Sequence, residues 1–226
     1  MQNEIIGIIG RKGSGKSRRF RSLIRTCPRL ILFDPLSEHT WCPNAIRTVE
    51  RLHDFLFKHA ADGRKSWAGR YIPQGEPRKD FEPFGAMVYE RGHVTLGVEE
   101  VGLISAPNSL PANFDRIVRL GRHKGINLVW TSQRIAEVSK RLTSATDRFF
   151  IFRHTEPRDL DALEDRCGTG VADRVAKLGL HDFIEFDVLS GEIVEPHSSE
   201  PSRGSQNDGT SKKPEAGQGE RAVSRE

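Results

Sequence analysis

Eight consecutive residues, Gly10-Arg11-Lys12-Gly13-Ser14-Gly15-Lys16-Ser17, match the pattern G-x-x-x-x-G-K-[ST]. Glycines in this arrangement let backbone N–H groups wrap phosphate oxygens without a Cβ in the way. Lys16 is then placed to reach the β and γ oxygens of a nucleotide, and Ser17 to offer its hydroxyl to Mg²⁺. A merely flexible glycine turn does not explain a lysine at the start of the following helix. ATP and Mg²⁺ are the expected ligands, held by Gly10, Arg11, Lys12, Gly13, Ser14, Gly15, Lys16 and Ser17.

Two carboxylates, Glu99 and Glu100, close the apolar run Val94-Thr95-Leu96-Gly97-Val98. At a strand end beside a phosphate cradle, the first belongs in the Mg²⁺ shell and the second can orient an attacking water. Glu99 stands where such strands usually carry Asp, so its longer side chain is expected to reach the metal through water. Glu100 becomes the candidate catalytic base. A further apolar run closes on Trp130-Thr131-Ser132-Gln133-Arg134, where Gln133 is a candidate sensor of the γ-phosphate. Just before that run, Gly121-Arg122-His123-Lys124-Gly125 joins Arg116 and Arg119 in a basic cluster. Arginine suits the charge on a transferring phosphoryl group, so Arg119 and Arg122 are catalytic candidates, in cis or from a neighbour. The competing reading is a solvated basic face. Arg18, Arg19, Arg21 and Arg25 form a second basic cluster to which no role is assigned.

His39 and Cys42 have a ligand-like spacing, but no second pair accompanies them, and no metal site is expected there. Cys27, Cys42 and Cys167 lie far apart, which indicates neither a disulfide framework nor a zinc ribbon and fits a reducing cytoplasm.

These residues need a scaffold of strands ending on one edge. Glu4 to Ile9 reads as a buried strand before the cradle, with a helix from about Lys16 to Thr26 after it. Arg29 to Phe33 is a second strand, stopped by Asp34-Pro35. A helix over Val49 to Ala60 follows, and then a Gly-, Pro- and charge-rich stretch, Asp62 to Asp80, that reads as loop or insertion with a weak strand signal at Tyr71-Ile72. Phe81 to Arg91 reads as a helix and Val94 to Val98 as the third strand. A helix over Ala112 to Lys124 turns Phe114, Ile117, Val118 and Gly121 inward. Ile126 to Trp130 is the fourth strand, Ile135 to Ser144 a helix, and Arg148 to Phe152 the fifth strand. Short helices at Asp159–Arg166 and Val171–Leu178 precede a terminal hairpin, Asp182 to Val188 with Glu192 to Glu195. Alternating strands and helices imply parallel pairing. The expected fold is α/β, a RecA-like P-loop NTPase with a mostly parallel five-stranded sheet, and the fourth strand is expected between the P-loop strand and the carboxylate strand. One domain should span 1–195. From Pro196 the composition turns to Ser, Gly, Pro, Gln and balanced charge, so 196–226 is expected to be disordered.

Taken together, the P-loop, Asp34-Pro35, Glu99-Glu100, Gly121 to Gly125 and Thr131-Ser132-Gln133-Arg134 resemble the FtsK–HerA superfamily of DNA-translocating ATPases over about residues 4 to 155. The short chain looks most like the genome-packaging ATPases of tailless, membrane-containing icosahedral viruses such as tectiviruses. The resemblance implies ATP hydrolysis coupled to pumping double-stranded DNA, a homo-oligomeric ring, usually of six, and an arginine acting in trans. It also implies capsid-vertex or viral membrane proteins as partners, in the host cytoplasm or the virion. The chain departs from the pattern at Glu99 and at Ile135, where related translocases often carry proline. Nearer alternatives are a plasmid-mobilisation ATPase or a filamentous-phage assembly ATPase resembling zonula occludens toxin. A small-molecule kinase would show an arginine-rich lid and no Glu-Glu strand end. A non-catalytic nucleotide module would not need both Glu100 and Gln133.

Bulk composition is permissive. The formal charge of +4 suits an acidic polymer without requiring one. No signal peptide is read at the N-terminus, and the apolar runs are far shorter than the roughly 20 residues of a membrane span.

Overall fold

Short apolar, β-branched runs bounded by glycine or proline become the central strands here, because both of their faces are covered by helices. In the computed structural model, which describes residues 3–58 and 66–198, β1 (Ile5–Ile9) is buried along its whole length. β2 (Arg29–Phe33), β5 (Thr95–Val98), β6 (Asn127–Ser132) and β7 (Arg148–Phe152) are buried at all but their first positions or throughout. Within the sheet, β2, β5, β6, β1 and β7 lie side by side in that order, and the full order, with β3 (Ala45–Ile46), β4 (Trp67–Tyr71), β8 (Asp182–Asp187) and β9 (Ile193–Ser198), is β3-β4-β2-β5-β6-β1-β7-β8-β9. β6 lies between β5 and β1 and pairs in parallel with both, so the strand ending in Gln133 stands between the P-loop strand and the carboxylate strand as expected.

Among the described residues the sheet has nine strands where five and a terminal hairpin are expected. The additions are β3 (Ala45–Ile46) and β4 (Trp67–Tyr71), on the β2 edge. β4 is weak in sequence because Gly69 and Arg70 interrupt its apolar positions. Its place is set by the open backbone edge of β2, which it pairs residue for residue from Arg29–Trp67 to Phe33–Tyr71. At the other edge β8 (Asp182–Asp187) pairs antiparallel with β7, and β9 (Ile193–Ser198) with β8. β9 continues three residues past Glu195, and 199–226 lie outside the described residues.

Alternating strand residues build two cores. On one face, Ile6, Ile8, Leu30, Leu32, Val129 and Phe150 pack against Phe20 and Ile24 of α1 (Lys16–Ile24). On the other, Ile5, Ile31, Phe33, Leu96 and Trp130 meet Phe81 and Phe84 of α3 (Pro77–Arg91) and Phe114 of α4 (Ala112–Leu120). Several expected helices are interrupted. α2 (Val49–His53) passes into a π-turn over Asp54–Lys58, and the rest of that expected helix lies outside the described residues. α4 tightens into a 3₁₀ turn, Gly121–Lys124. Ile135–Glu137 is a 3₁₀ turn separated from α5 (Lys140–Ala145), whose N-terminus is capped by the Ser139 hydroxyl. α6 (Pro157–Cys167) and α7 (Val171–Lys177) are the remaining α-helices among the described residues.

Candidate nucleotide-binding site

Parallel strands end on a common edge, so the loops after β1, β2, β5, β6 and β7 meet there. The P-loop, Asp34, Glu99-Glu100, Gln133 and His154 occupy these loops. Gly15 precedes α1 with φ 103°, in the left-handed region where a Cβ is strained. A Cβ at Gly10 would lie 2.6 Å from the Ser14 hydroxyl and from Cβ of Phe152, so only glycine fits that approach. Lys16 is buried and its ammonium donates to the Arg11 carbonyl at 3.1 Å, folding the side chain back over the loop. Burial pulls its pKa below the ordinary lysine value, and the Glu100 and Glu99 carboxylates act the other way.

The adjacent carboxylates are held differently. Glu99 is buried; its Oε1 accepts from the Ser17 hydroxyl at 3.3 Å, and its Oε2 lies 2.5 Å from Nε2 of His39. Glu100 adopts φ 48° and ψ 65°, a left-handed conformation costing a side-chain-bearing residue ~1–2 kcal/mol. Its backbone N–H donates to Oγ1 of Thr131 at 2.9 Å. Its Oε1 accepts from the Gln133 backbone N–H at 3.1 Å and its Oε2 from the Gln133 side-chain amide at 3.0 Å. Glu100 and Gln133 thus form one hydrogen-bonded unit across two strand ends.

A second buried network flanks the P-loop. Asp159 accepts from the Ala136 backbone N–H at 3.1 Å and from Nε of Arg134 at 3.3 Å, tying the loop after β6 to α6. His154 is buried beside it, and burial pushes its pKa down to about 4, the Asp159 carboxylate opposing and Lys16, Arg11 and Arg134 adding to the depression.

Arg122 and Arg119 lie at the other edge of the sheet. Arg122 pairs with Asp147, whose second oxygen accepts the Ile5 backbone N–H at 2.8 Å. Asp147 precedes β7 and Ile5 begins β1, so this is the edge where the strands start. Arg119 is exposed, 3.8 Å from Asp115, and lines the same groove as Arg122. The structure therefore does not bring either arginine to the P-loop of its own chain.

No family model and no curated protein matches the sequence. Solved structures do match by fold. The genome packaging NTPase B204 from Sulfolobus turreted icosahedral virus 2, in complex with AMPPCP, superposes with a TM-score of 0.71 at 20% identity, over 86% of this chain and 97% of that one. VirB4 of Thermoanaerobacter pseudethanolicus gives 0.57 at 11% identity, over 84% and 87%. The N-terminal domain of zonular occludens toxin from Neisseria meningitidis gives 0.50 at 14%, over 83% and 85%. The fold is that of the P-loop NTPases.

In a P-loop NTPase the Ser17 hydroxyl and a buried carboxylate at Glu99 are hard oxygen donors that suit Mg²⁺. Cys42 packs in the apolar core, where burial pushes its thiol up to about 12. Four residues that shape the site are not marked as functional in sequence: His39, Thr131, His154 and Asp159. Thr131 stands within the quoted strand end, and His39 follows Asp34-Pro35, so both are visible as neighbours of motif residues. Their contacts come only from strand order. Among the described residues, no helix is long and apolar enough to cross a membrane.

Proposed function

We propose that the chain hydrolyses ATP to drive double-stranded DNA, as a genome-packaging motor working as a ring of identical copies. The observation that carries the ATPase reading is the Glu100–Gln133 pair, which joins the end of β6, next to the P-loop strand, to the end of β5, with Glu100 the leading carboxylate acting on Lys16. Glu100 accepts a proton from the attacking water, and the Gln133 amide, already on that carboxylate, is placed to feel the γ-phosphate. Lys16 leaves the Arg11 carbonyl for the β and γ oxygens, where it meets rising negative charge. Ser17 and Glu99 would hold Mg²⁺, which when bound neutralises charge on the phosphate oxygens. The packaging reading is supported by the likeness to B204, itself named a genome packaging NTPase.

In such a ring, Arg119 or Arg122, remote from the P-loop of its own chain, meets a neighbour's nucleotide. Residues 1–198, which take in the whole of β9, form the motor domain, and the compartment is the host cytoplasm or the virion. The test is phosphate release by purified protein with no polynucleotide, with duplex DNA and with single-stranded DNA. Stimulation by duplex is expected. Equal rates in all three, with turnover present, would leave an ATPase without the motor function, and no hydrolysis in any would remove the ATPase reading.

A further inference from the structure

Glu99 occupies a slot where a shorter carboxylate usually stands, and its extra methylene adds a torsion that must be fixed if the carboxylate is to face Ser17. The residue that meets its far oxygen is His39. The His39 ring is 3% exposed, and its Nε2 lies 2.5 Å from Oε2 of Glu99. Both atoms are buried, and among the described residues neither makes a hydrogen bond, so this close approach is what each of them meets.

The proton on this imidazole can be assigned from its other nitrogen. Nδ1 of His39 faces Nε1 of Trp41 at 3.1 Å. An indole nitrogen only donates, so Nδ1 presents its lone pair and the neutral ring carries its proton on Nε2. That proton sits on the nitrogen that lies 2.5 Å from Oε2 of Glu99. The same assignment removes the other reading of the cluster, in which Asp34, His39 and Glu99, whose ligand atoms lie within 4.8 Å of one another, hold a cation. An Nε2 that carries a proton has no lone pair for a metal. Asp34 is also engaged: Oδ1 accepts the Glu38 backbone N–H, and Oδ2 accepts the His39 backbone N–H at 3.1 Å and the Arg70 guanidinium at 3.0 Å. Asp34 fixes the loop and His39 projects from it, with its ring against Phe20 of α1 at 5.1 Å between centroids.

We propose that His39 is a positioning residue for Glu99: its Nε2–H holds one carboxylate oxygen so that the other faces the Ser17 hydroxyl and the cation. The loop after β2 thereby supports the cation-holding carboxylate on β5. The inference rests on the ATPase reading, and partners of this kind change metal affinity by about 10–100-fold when removed.

Binding of a fluorescent ATP analogue, mant-ATP, followed across a Mg²⁺ titration, measures this without turnover. His39→Ala is expected to raise the half-saturating Mg²⁺ about 10–100-fold, with analogue binding in excess EDTA unchanged. His39→Gln keeps an N–H donor and should recover most of the loss. In a Glu99→Asp background the shorter side chain no longer spans to His39, so His39→Ala should add less than about a threefold effect. An unchanged Mg²⁺ dependence in His39→Ala, or a full further loss in Glu99→Asp, would overturn the proposal. Should the variants fail to fold, ¹⁵N-histidine NMR of the wild type reads the tautomer directly. Nε2–H supports the assignment and Nδ1–H overturns it. Wild-type protein that shows no Mg²⁺-dependent mant-ATP binding would sink the ATPase reading, a result distinct from either His39 outcome.

Discussion

Substituting Glu100 by alanine and by glycine separates backbone strain from catalysis at one residue. The φ of 48° places Glu100 in the left-handed region, where a Cβ costs ~1–2 kcal/mol and glycine incurs no such cost. Both substitutions delete the carboxylate and with it the two hydrogen bonds from Gln133. Alanine retains the strain, whereas glycine relieves it. Glycine also loosens the unfolded chain, which works against it by about 0.4–1 kcal/mol. The difference leaves Glu100→Gly more stable than Glu100→Ala by about 0.5–1 kcal/mol. In a domain of this size, that raises the melting temperature by ~1–4 °C. Hydrolysis should fall by ~10²–10⁴-fold in both, the range expected for loss of a general base. Thermal melts at matched concentration and a phosphate-release assay decide both points. Alanine melting at or above glycine would refute the strain argument, and a variant keeping more than about a tenth of the rate would refute Glu100 as the base.

Lys16→Ala should bind nucleotide poorly and retain less than about a tenth of wild-type turnover while melting cooperatively, because its charge is needed most in the transition state; phosphate release and a thermal melt check this. His154 is held neutral in the fold, with a pKa of about 4 against an ordinary histidine value of 6.5. The unfolded chain therefore takes up the proton first, and stability present above pH 6.5 is lost as pH falls toward 4, on the order of 2–3 kcal/mol. Denaturant unfolding at about pH 7 and about pH 4.5 should show a smaller loss for His154→Gln than for wild type, and parallel curves would count against the assignment. Arg122→Ala and Lys16→Ala subunits, each inactive alone, should recover activity when mixed, with Arg119→Ala as the companion test. No recovery in demonstrably mixed rings would make the cluster a solvated face. Truncation after Ser198, which keeps β9 paired to β8, should leave the melting temperature and basal rate nearly unchanged; a large drop in either would show that 199–226 docks on the domain.

Local chemistry is legible wherever a short stretch of chain is sufficient. The P-loop is such a case, since contiguous backbone N–H groups, one lysine and one hydroxyl make the cradle. So are β1, β2, β5, β6 and β7, whose continuous apolar runs leave no solvent-facing side. The pairing of Glu100 with Gln133 is half legible: both stand at strand ends, but their contact follows from β5 and β6 being neighbours in parallel register, from Thr95–Asn127 to Val98–Trp130. β4 is barely legible, leaving only the weak signal at Tyr71-Ile72, because its pairing partner is the open edge of β2 and its own apolar pattern is broken by Gly69 and Arg70. The support of Glu99 by His39 is likewise invisible, since sixty residues separate them and only the side-by-side placement of β2 and β5 closes that gap to 2.5 Å. The position of Arg119 and Arg122 is the opposite case. Their charge is plain in the sequence, but whether they stand at the phosphate edge or the far edge depends on the direction of β6 and on Asp147, which anchors Arg122 where the strands begin. Contiguous residues carry their own geometry, and residues distant in the chain acquire theirs only when strand order places them together.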